Sequence, residues 1–132
     1  MDKLFVAGTV FIDFRAINIQ GEKPKHFLGL NDADDPDDVV LACVFSTEYN
    51  PGALREGCNK EKQKFYLPKN KFAFQTHPTT IWLIPFRIYN LSQIINGTNC
   101  KIEELCDQPL FRQIKNCIDK KHVQLKYHSL LK

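Results

Sequence analysis

A change in the spacing of apolar residues near residue 90 constrains the fold of this chain more than any other feature. Before it, apolar and polar side chains alternate with a period of two in several short runs, which predicts half-buried strands. Beyond it, Phe111, Ile114, Cys117 and Ile118 recur at intervals of three and four, which predicts an amphipathic helix. Strands followed by helices predict an α+β fold, with a small curled sheet or barrel of five or six strands at its centre.

The strand and helix boundaries follow from this pattern and from local signals. Strands are predicted at residues 4–14, 26–30, 39–45, 64–67, 71–74 and 79–86. The fourth and fifth of these flank the sequence PKN and predict a short hairpin, and Pro85 is expected near the end of the sixth strand. Asp107 is suited to cap a helix that begins at Gln108, with Pro109 in its first turn.

A chain of 132 residues is sufficient for one domain. We therefore predict a single domain over 1–132, with mainly strands in 1–88 and mainly helices in 90–122. The N-terminal segment alternates and lacks the long apolar stretch of a secretory leader, and no run approaches a membrane span. These features predict a cytoplasmic protein without membrane association.

The five cysteines are odd in number, and none forms a C-x-x-C pair. This pattern predicts reduced thiols in a cytosolic protein and no zinc site, and nothing in the sequence calls for another metal or a cofactor. An enzyme with a Cys–His pair stays open as an alternative, although no cysteine is marked as activated.

The formal net charge is only +3, but the charges are segregated along the chain. Residues 31–38 contain five Asp, whereas residues 60–71 contain five Lys and one Glu. The basic segment, in which aromatic residues lie between the lysines, suits a polyanionic partner, and a solvated face is the alternative. The acidic segment lacks the Gly and Glu of a calcium-binding EF-hand loop, so a hairpin turn is predicted there.

Three short stretches occur in an informative order. The first is GTVFIDF at 8–14, the second is KPKHFLGL at 23–30 followed by a strand that ends in Ser46-Thr47, and the third is THPTTI at 76–81. In sequence and in order these stretches resemble the MazF/PemK/Kid family of toxin ribonucleases. The resemblance covers about two thirds of the chain and includes a C-terminal helix.

The resemblance implies an SH3-like β-barrel and a metal-independent endoribonuclease, the toxin component of a toxin–antitoxin pair. Such an enzyme cleaves single-stranded RNA with the RNA's own 2′-hydroxyl. It needs a base for that hydroxyl, an acid for the leaving 5′-oxygen, and positive charge beside the phosphorane. The resemblance also implies a homodimer and an antitoxin protein as partner.

The chain departs from the family pattern at the positions that matter for catalysis. The family's arginine is replaced by Lys23 or Lys25, and its acidic residue and second arginine align with Thr76 and Thr79. We therefore predict a relocated catalytic set: Lys25, His26, Thr47 and His77. The predicted RNA-binding residues are Lys23, Ser46, Asp13, Lys69 and Lys71.

Several of these residues have a structural interpretation as well. Asp13 is suited to bind backbone amides where its strand leaves the sheet, and His26 to pack as a partly buried histidine. Trp82 lies in an apolar run, so packing in the core is predicted for it rather than stacking on bases. The missing arginine and acidic residue leave a second hypothesis, a catalytically degenerate barrel that binds nucleic acid or protein.

Overall fold

The computed structural model describes residues 3–17 and 24–131, and its centre is an antiparallel sheet of seven strands. The strands are β1 (Thr9–Ile17), β2 (Pro24–Gly29), β3 (Val39–Thr47), β4 (Gly57–Asn59), β5 (Lys64–Leu67), β6 (Thr79–Asn90) and β7 (Cys100–Leu105). The α-helices are α1 (Leu91–Ile95) and α2 (Gln108–Cys117), and short 3-10 helices span Pro51–Ala53, Lys60–Lys62, Lys120–His122 and Leu125–Leu131.

The strands follow the order β4-β5-β6-β3-β2-β1-β7, and every neighbouring pair is antiparallel. The prediction of an α+β fold is therefore confirmed. Within the described residues no ladder joins β4 to β7, so the sheet is open rather than closed by hydrogen bonds. The sequence predicts five or six strands, and the described residues form seven.

Apolar residues on the two faces of the sheet form separate core clusters. The first cluster combines Val10, Leu28 and Phe45 of the sheet with Phe111 and Ile114 of α2. The second cluster combines sheet residues on the opposite face with α1, and its members include Phe11, Phe27, Tyr89, Leu91 and Ile94. Apolar side chains of the strands are therefore buried on both faces, because each face packs against a helix over part of its area.

The predicted hairpin of residues 64–67 and 71–74 is wrong in its second half. Residues 71–74 form a turn, and β5 pairs with β4 and β6 instead. The physical reason is that Phe72 and Phe74 both pack edge-on against Phe45, with ring centroids 5.1 Å apart in each case. Their burial draws this segment over the first core cluster and away from the sheet edge.

The region predicted as mainly helical contains a strand, β7, which pairs with β1 at the edge of the sheet. Most of its side chains are exposed, so it lacks the alternation that marks a strand in the sequence. The helix start was predicted correctly, because the Asp107 carboxylate accepts a hydrogen bond from the Leu110 amide at the first turn of α2. Strand β6 extends beyond Pro85 to Asn90, and its pairing with β3 is interrupted between Ala42 and Val44.

The acidic segment forms the turn between β2 and β3, as predicted. The Asp38 carboxylate accepts hydrogen bonds from the backbone amides of Asp34 and Asp35, at 3.0 Å and 3.1 Å.

No helix within residues 3–17 and 24–131 has the length and apolarity needed to cross a bilayer.

The expectation that all five thiols are reduced is wrong for one pair, because Cys58 and Cys117 form a disulfide. The bond joins β4 to the end of α2 across 59 residues of sequence, a distance at which spacing carries no signal. The other three cysteines, Cys43, Cys100 and Cys106, are free and buried.

Candidate functional site

A cleft of about 540 Å³ lies where β2 begins, where β3 ends, and where the loop 68–78 enters β6. Its lining includes Lys25, His26, Ser46, Thr47 and His77, which come from three separate segments of the chain. The structure therefore brings all four predicted catalytic residues, and one of the predicted RNA-binding residues, to one cleft.

His26 is the most constrained of these side chains. Its imidazole stacks on the ring of Phe74, with centroids 3.8 Å apart and an angle of 5° between the planes. Burial lowers the pKa of His26, and the Glu103 carboxylate, whose Oε1 lies 4.0 Å from Nε2 of His26, partly offsets that shift. The imidazole is therefore neutral at pH 7, the form in which a histidine accepts a proton.

His77 is exposed in the lining of the cleft, and its backbone is held in place. Its carbonyl accepts hydrogen bonds from Thr79 Oγ1 at 2.8 Å and from Gln75 Nε2 at 3.3 Å. The buried Gln75 also donates to the Leu67 carbonyl and accepts from the Lys71 amide, so one side chain fixes the loop at three points. The imidazole of His77 therefore projects from a fixed backbone.

Strand alternation divides the cleft residues between the two sides of the sheet. Thr47 shares its face with Phe45, and His26 shares its face with Leu28, so both belong to the side of the first core cluster. Lys25 directly precedes His26, and Ser46 directly precedes Thr47, so the side chains of Lys25 and Ser46 point to the opposite face of the sheet. Of the two hydroxyls, Thr47 is thus the one on the side of His26.

Two carboxylates near these residues were not identified from the sequence. Glu48 lines the cleft, and a hydrogen bond from Thr80 Oγ1 at 2.7 Å lowers the pKa of its carboxyl. Its position directly after Ser46-Thr47, two predicted site residues, could have identified Glu48 from the sequence. Glu103 offered none, because it lies on β7, within the segment predicted as helical.

The remaining predicted RNA-binding residues lie elsewhere. Asp13 is 0% exposed, and its carboxylate accepts hydrogen bonds from the Tyr89 hydroxyl at 2.8 Å and the Arg15 amide at 2.9 Å, so its partners are internal. Lys69 and Lys71 are exposed in the loop that follows β5, and Lys71 lines a separate depression of about 440 Å³ beside α2. Lys23 lies outside the described residues.

In the described part of the chain, the free cysteines show no sign of activation and the acidic residues form no metal site. Burial raises the pKa of Cys100 to about 11 and that of Cys106 to about 12, which disfavours a thiolate nucleophile at neutral pH. In the described part of the chain, no group of three or more His, Cys, Asp or Glu side chains is arranged to hold a metal ion.

Comparison with known proteins gives no match to a family model, to a curated protein or to a solved structure.

Proposed function

We propose that this protein is a metal-independent endoribonuclease that cleaves single-stranded RNA, the toxin component of a toxin–antitoxin pair of the MazF/PemK type. The observation that supports this proposal is the meeting of Lys25, His26, Thr47 and His77 around one cleft. These side chains include two imidazoles, an ammonium group and a hydroxyl. They are the groups that cleavage by a 2′-hydroxyl needs.

Each side chain has a role in the proposed reaction. Neutral His26 removes the proton from the 2′-hydroxyl, whose oxygen attacks the adjacent phosphorus. The Lys25 ammonium and the Thr47 hydroxyl stabilise the charge on the phosphorane oxygens. His77, when protonated, donates a proton to the leaving 5′-oxygen, and the products are a 2′,3′-cyclic phosphate and a 5′-hydroxyl.

The proposal also includes the curvature of the sheet. Residues from β1, β2, β3, β5 and β6 all contribute to the first core cluster, which supports a sheet curled in the manner of an SH3-like barrel. The resemblance further implies a cytoplasmic homodimer whose RNA groove is covered by an acidic, apolar segment of an antitoxin. The cleft, which is lined by Lys25, and the basic segment of residues 60–71 suit such a segment.

Cleavage of a mixed-sequence RNA by the purified chain, in the presence of a chelator, tests the activity. We expect fragments that end in a 2′,3′-cyclic phosphate, and we expect the double variant Lys25→Ala/His26→Ala to lose cleavage. The matched control is Lys126→Ala/His122→Ala, which removes one lysine and one histidine from exposed positions outside the cleft lining. Undiminished cleavage by the cleft variant would reject the proposed site.

The second candidate is a catalytically degenerate barrel that binds nucleic acid or protein. The features that favour it are Thr76 and Thr79, which align with the acidic residue and the second arginine of the family pattern. Retained RNA binding without cleavage, by protein of native fold, would assign this function instead.

A further inference from the structure

Trp82 does not pack in the core as the sequence predicts. Its side chain is 41% exposed although the residue lies well inside β6, with paired strands on both sides. The neighbouring residues Ile81 and Leu83 point to the other face and are fully buried. The alternation of β6 therefore places the indole on the face of the second core cluster. Helix α1 covers this face only at the far end of β6, so the indole lies on its uncovered part.

A row of directly paired residues crosses four strands at this position. Trp82 pairs with Lys64 of β5 on one side and with Val44 of β3 on the other, and Val44 in turn pairs with Phe27 of β2. Directly paired residues of antiparallel strands project to the same face, so these four side chains form one continuous strip.

Cationic groups lie over both aromatic members of the strip. The Lys64 ammonium is 5.0 Å from the centroid of the Trp82 ring, and the Arg87 guanidinium is 5.7 Å from that of Phe27. Of the two rings, Trp82 is exposed and Phe27 is buried. A cation beside the exposed ring of Trp82 matches a polyanion whose bases have flat faces, which is the chemistry of single-stranded nucleic acid.

The strip continues into the candidate cleft. Ser46 follows Val44 on the same face of β3, and Lys25 precedes Phe27 on the same face of β2, and both line the cleft. One carboxylate lies at this junction, Glu48, which is held by Thr80 and lies within the electrostatic range of Lys64 and Lys62. A strand bound along the strip would thus pass from Trp82 to the edge of the cleft.

We propose that Lys64, Trp82 and Val44 of this strip, together with Arg87, form a stacking surface for the bases of single-stranded RNA next to the cleaved linkage, whereas Phe27, only 2% exposed, lies in the core beneath Arg87. This inference rests on the proposed function, because it assigns the same ligand to a second surface. Trp82 stacks on a base, while Lys64 and Arg87 contact the backbone phosphates. Loss of the stack is expected to weaken binding roughly five- to 150-fold.

The composition of the chain makes a direct test available, since Trp82 is its only tryptophan. The probe is a mixed-sequence 2′-O-methyl RNA oligonucleotide, which binds but has no 2′-hydroxyl with which to be cleaved. Titration of the full chain at low salt should quench the tryptophan emission. The anisotropy of the same oligonucleotide carrying a dye should show weaker binding by Trp82→Ala and near-normal binding by Trp82→Phe, which keeps an aromatic face.

The expected results distinguish RNA binding at this surface from cleavage in the cleft. His26→Ala should abolish cleavage of unmodified RNA and still show quenching by the 2′-O-methyl probe. Unchanged emission at saturating oligonucleotide, or equal affinity of Trp82→Ala and the original chain, would overturn the stacking surface even if cleavage is found. Emission that responds to protein concentration and not to oligonucleotide would also overturn it, and would assign the strip to a contact between copies of the chain.

Discussion

The imidazole of His26 and the ring of Phe74 are stacked nearly parallel, with their centroids 3.8 Å apart. The two residues come from β2 and from the loop before β6, so the stack joins two segments that line the cleft. It buries the imidazole on one side, and this burial is the cause of its lowered pKa. The stack with Phe74 therefore favours the neutral form of His26.

Replacement of Phe74 tests this dependence. In Phe74→Leu the imidazole is better hydrated, so the pKa of His26 should rise toward its ordinary value of 6.5. The measurement is an NMR titration of the His26 ring protons. Phe86→Leu, which changes an aromatic residue elsewhere at the edge of the first core cluster, is the control and should leave the titration in place. An unshifted His26 in Phe74→Leu would contradict the assigned cause.

Glu103 acts on His26 with the opposite sign. Its charge favours the imidazolium, so Glu103→Gln should lower the pKa of His26 further. In the proposed reaction cleavage requires neutral His26, so the acid limb of its pH profile is expected below pH 6.5 and should move to still lower pH in Glu103→Gln.

The measurement for this second prediction is the pH dependence of kcat/KM for RNA cleavage. Glu61→Gln, at an exposed position of a 3-10 helix, is the matched control and should reproduce the original profile. An acid limb that moves upward in Glu103→Gln would show that the carboxylate does not act through the charge of His26.

Asp13 and Tyr89 are expected to act on stability and not on cleavage. The Tyr89 hydroxyl donates to the fully buried Asp13 carboxylate, and Tyr89→Phe removes that donor. We expect a loss of about 1–3 kcal/mol in the free energy of unfolding, because a buried charged acceptor loses a partner. Urea denaturation measures the loss, and kcat of the folded variant should stay near that of the original chain. A large fall in kcat with unchanged stability would instead indicate that Asp13 takes part in RNA binding or cleavage, as the sequence predicts.

The Cys58–Cys117 disulfide is expected to stabilise the joint between β4 and α2. Closing a loop across 59 residues is worth about 2–4 kcal/mol in small proteins. A reducing agent should therefore lower the Tm of the original chain, whereas the Tm of Cys58→Ala/Cys117→Ala should not respond to it. Equal responses of the two proteins would exclude this bond as the cause. A stable disulfide is typical of oxidising compartments, so this result also bears on the predicted cytoplasmic location.

The sequence was sufficient for those parts of the fold that depend on local signals. The capping of α2 by Asp107 and the acidic turn follow from residues within a few positions of each other, and both predictions were confirmed. Strand β7 was missed because an edge strand with exposed side chains has no periodic pattern. The disulfide and the row across four strands depend on contacts between distant segments, which neither composition nor spacing records.

The same distinction applies to the candidate site. His26, Thr47 and His77 were named from their places in short motifs, and the structure brings them to one cleft. Glu103 reaches His26 only through the pairing of β7 with β1, so no local motif could have indicated it. Trp82 was assigned to the core from its apolar neighbours, but alternation in a sheet that is open on that face leaves it exposed.

Cleavage of a matched pair of RNA oligonucleotides is the most direct test of the proposed reaction. The two oligonucleotides are identical except that one carries a single 2′-deoxy nucleotide at the mapped cleavage position. The ribose version should be cut there to a 2′,3′-cyclic phosphate, the deoxy version should stay intact at that linkage, and His26→Ala should cut neither. Cleavage of the deoxy linkage, or no cleavage of either oligonucleotide by the folded original chain, would contradict a reaction driven by the 2′-hydroxyl in this cleft.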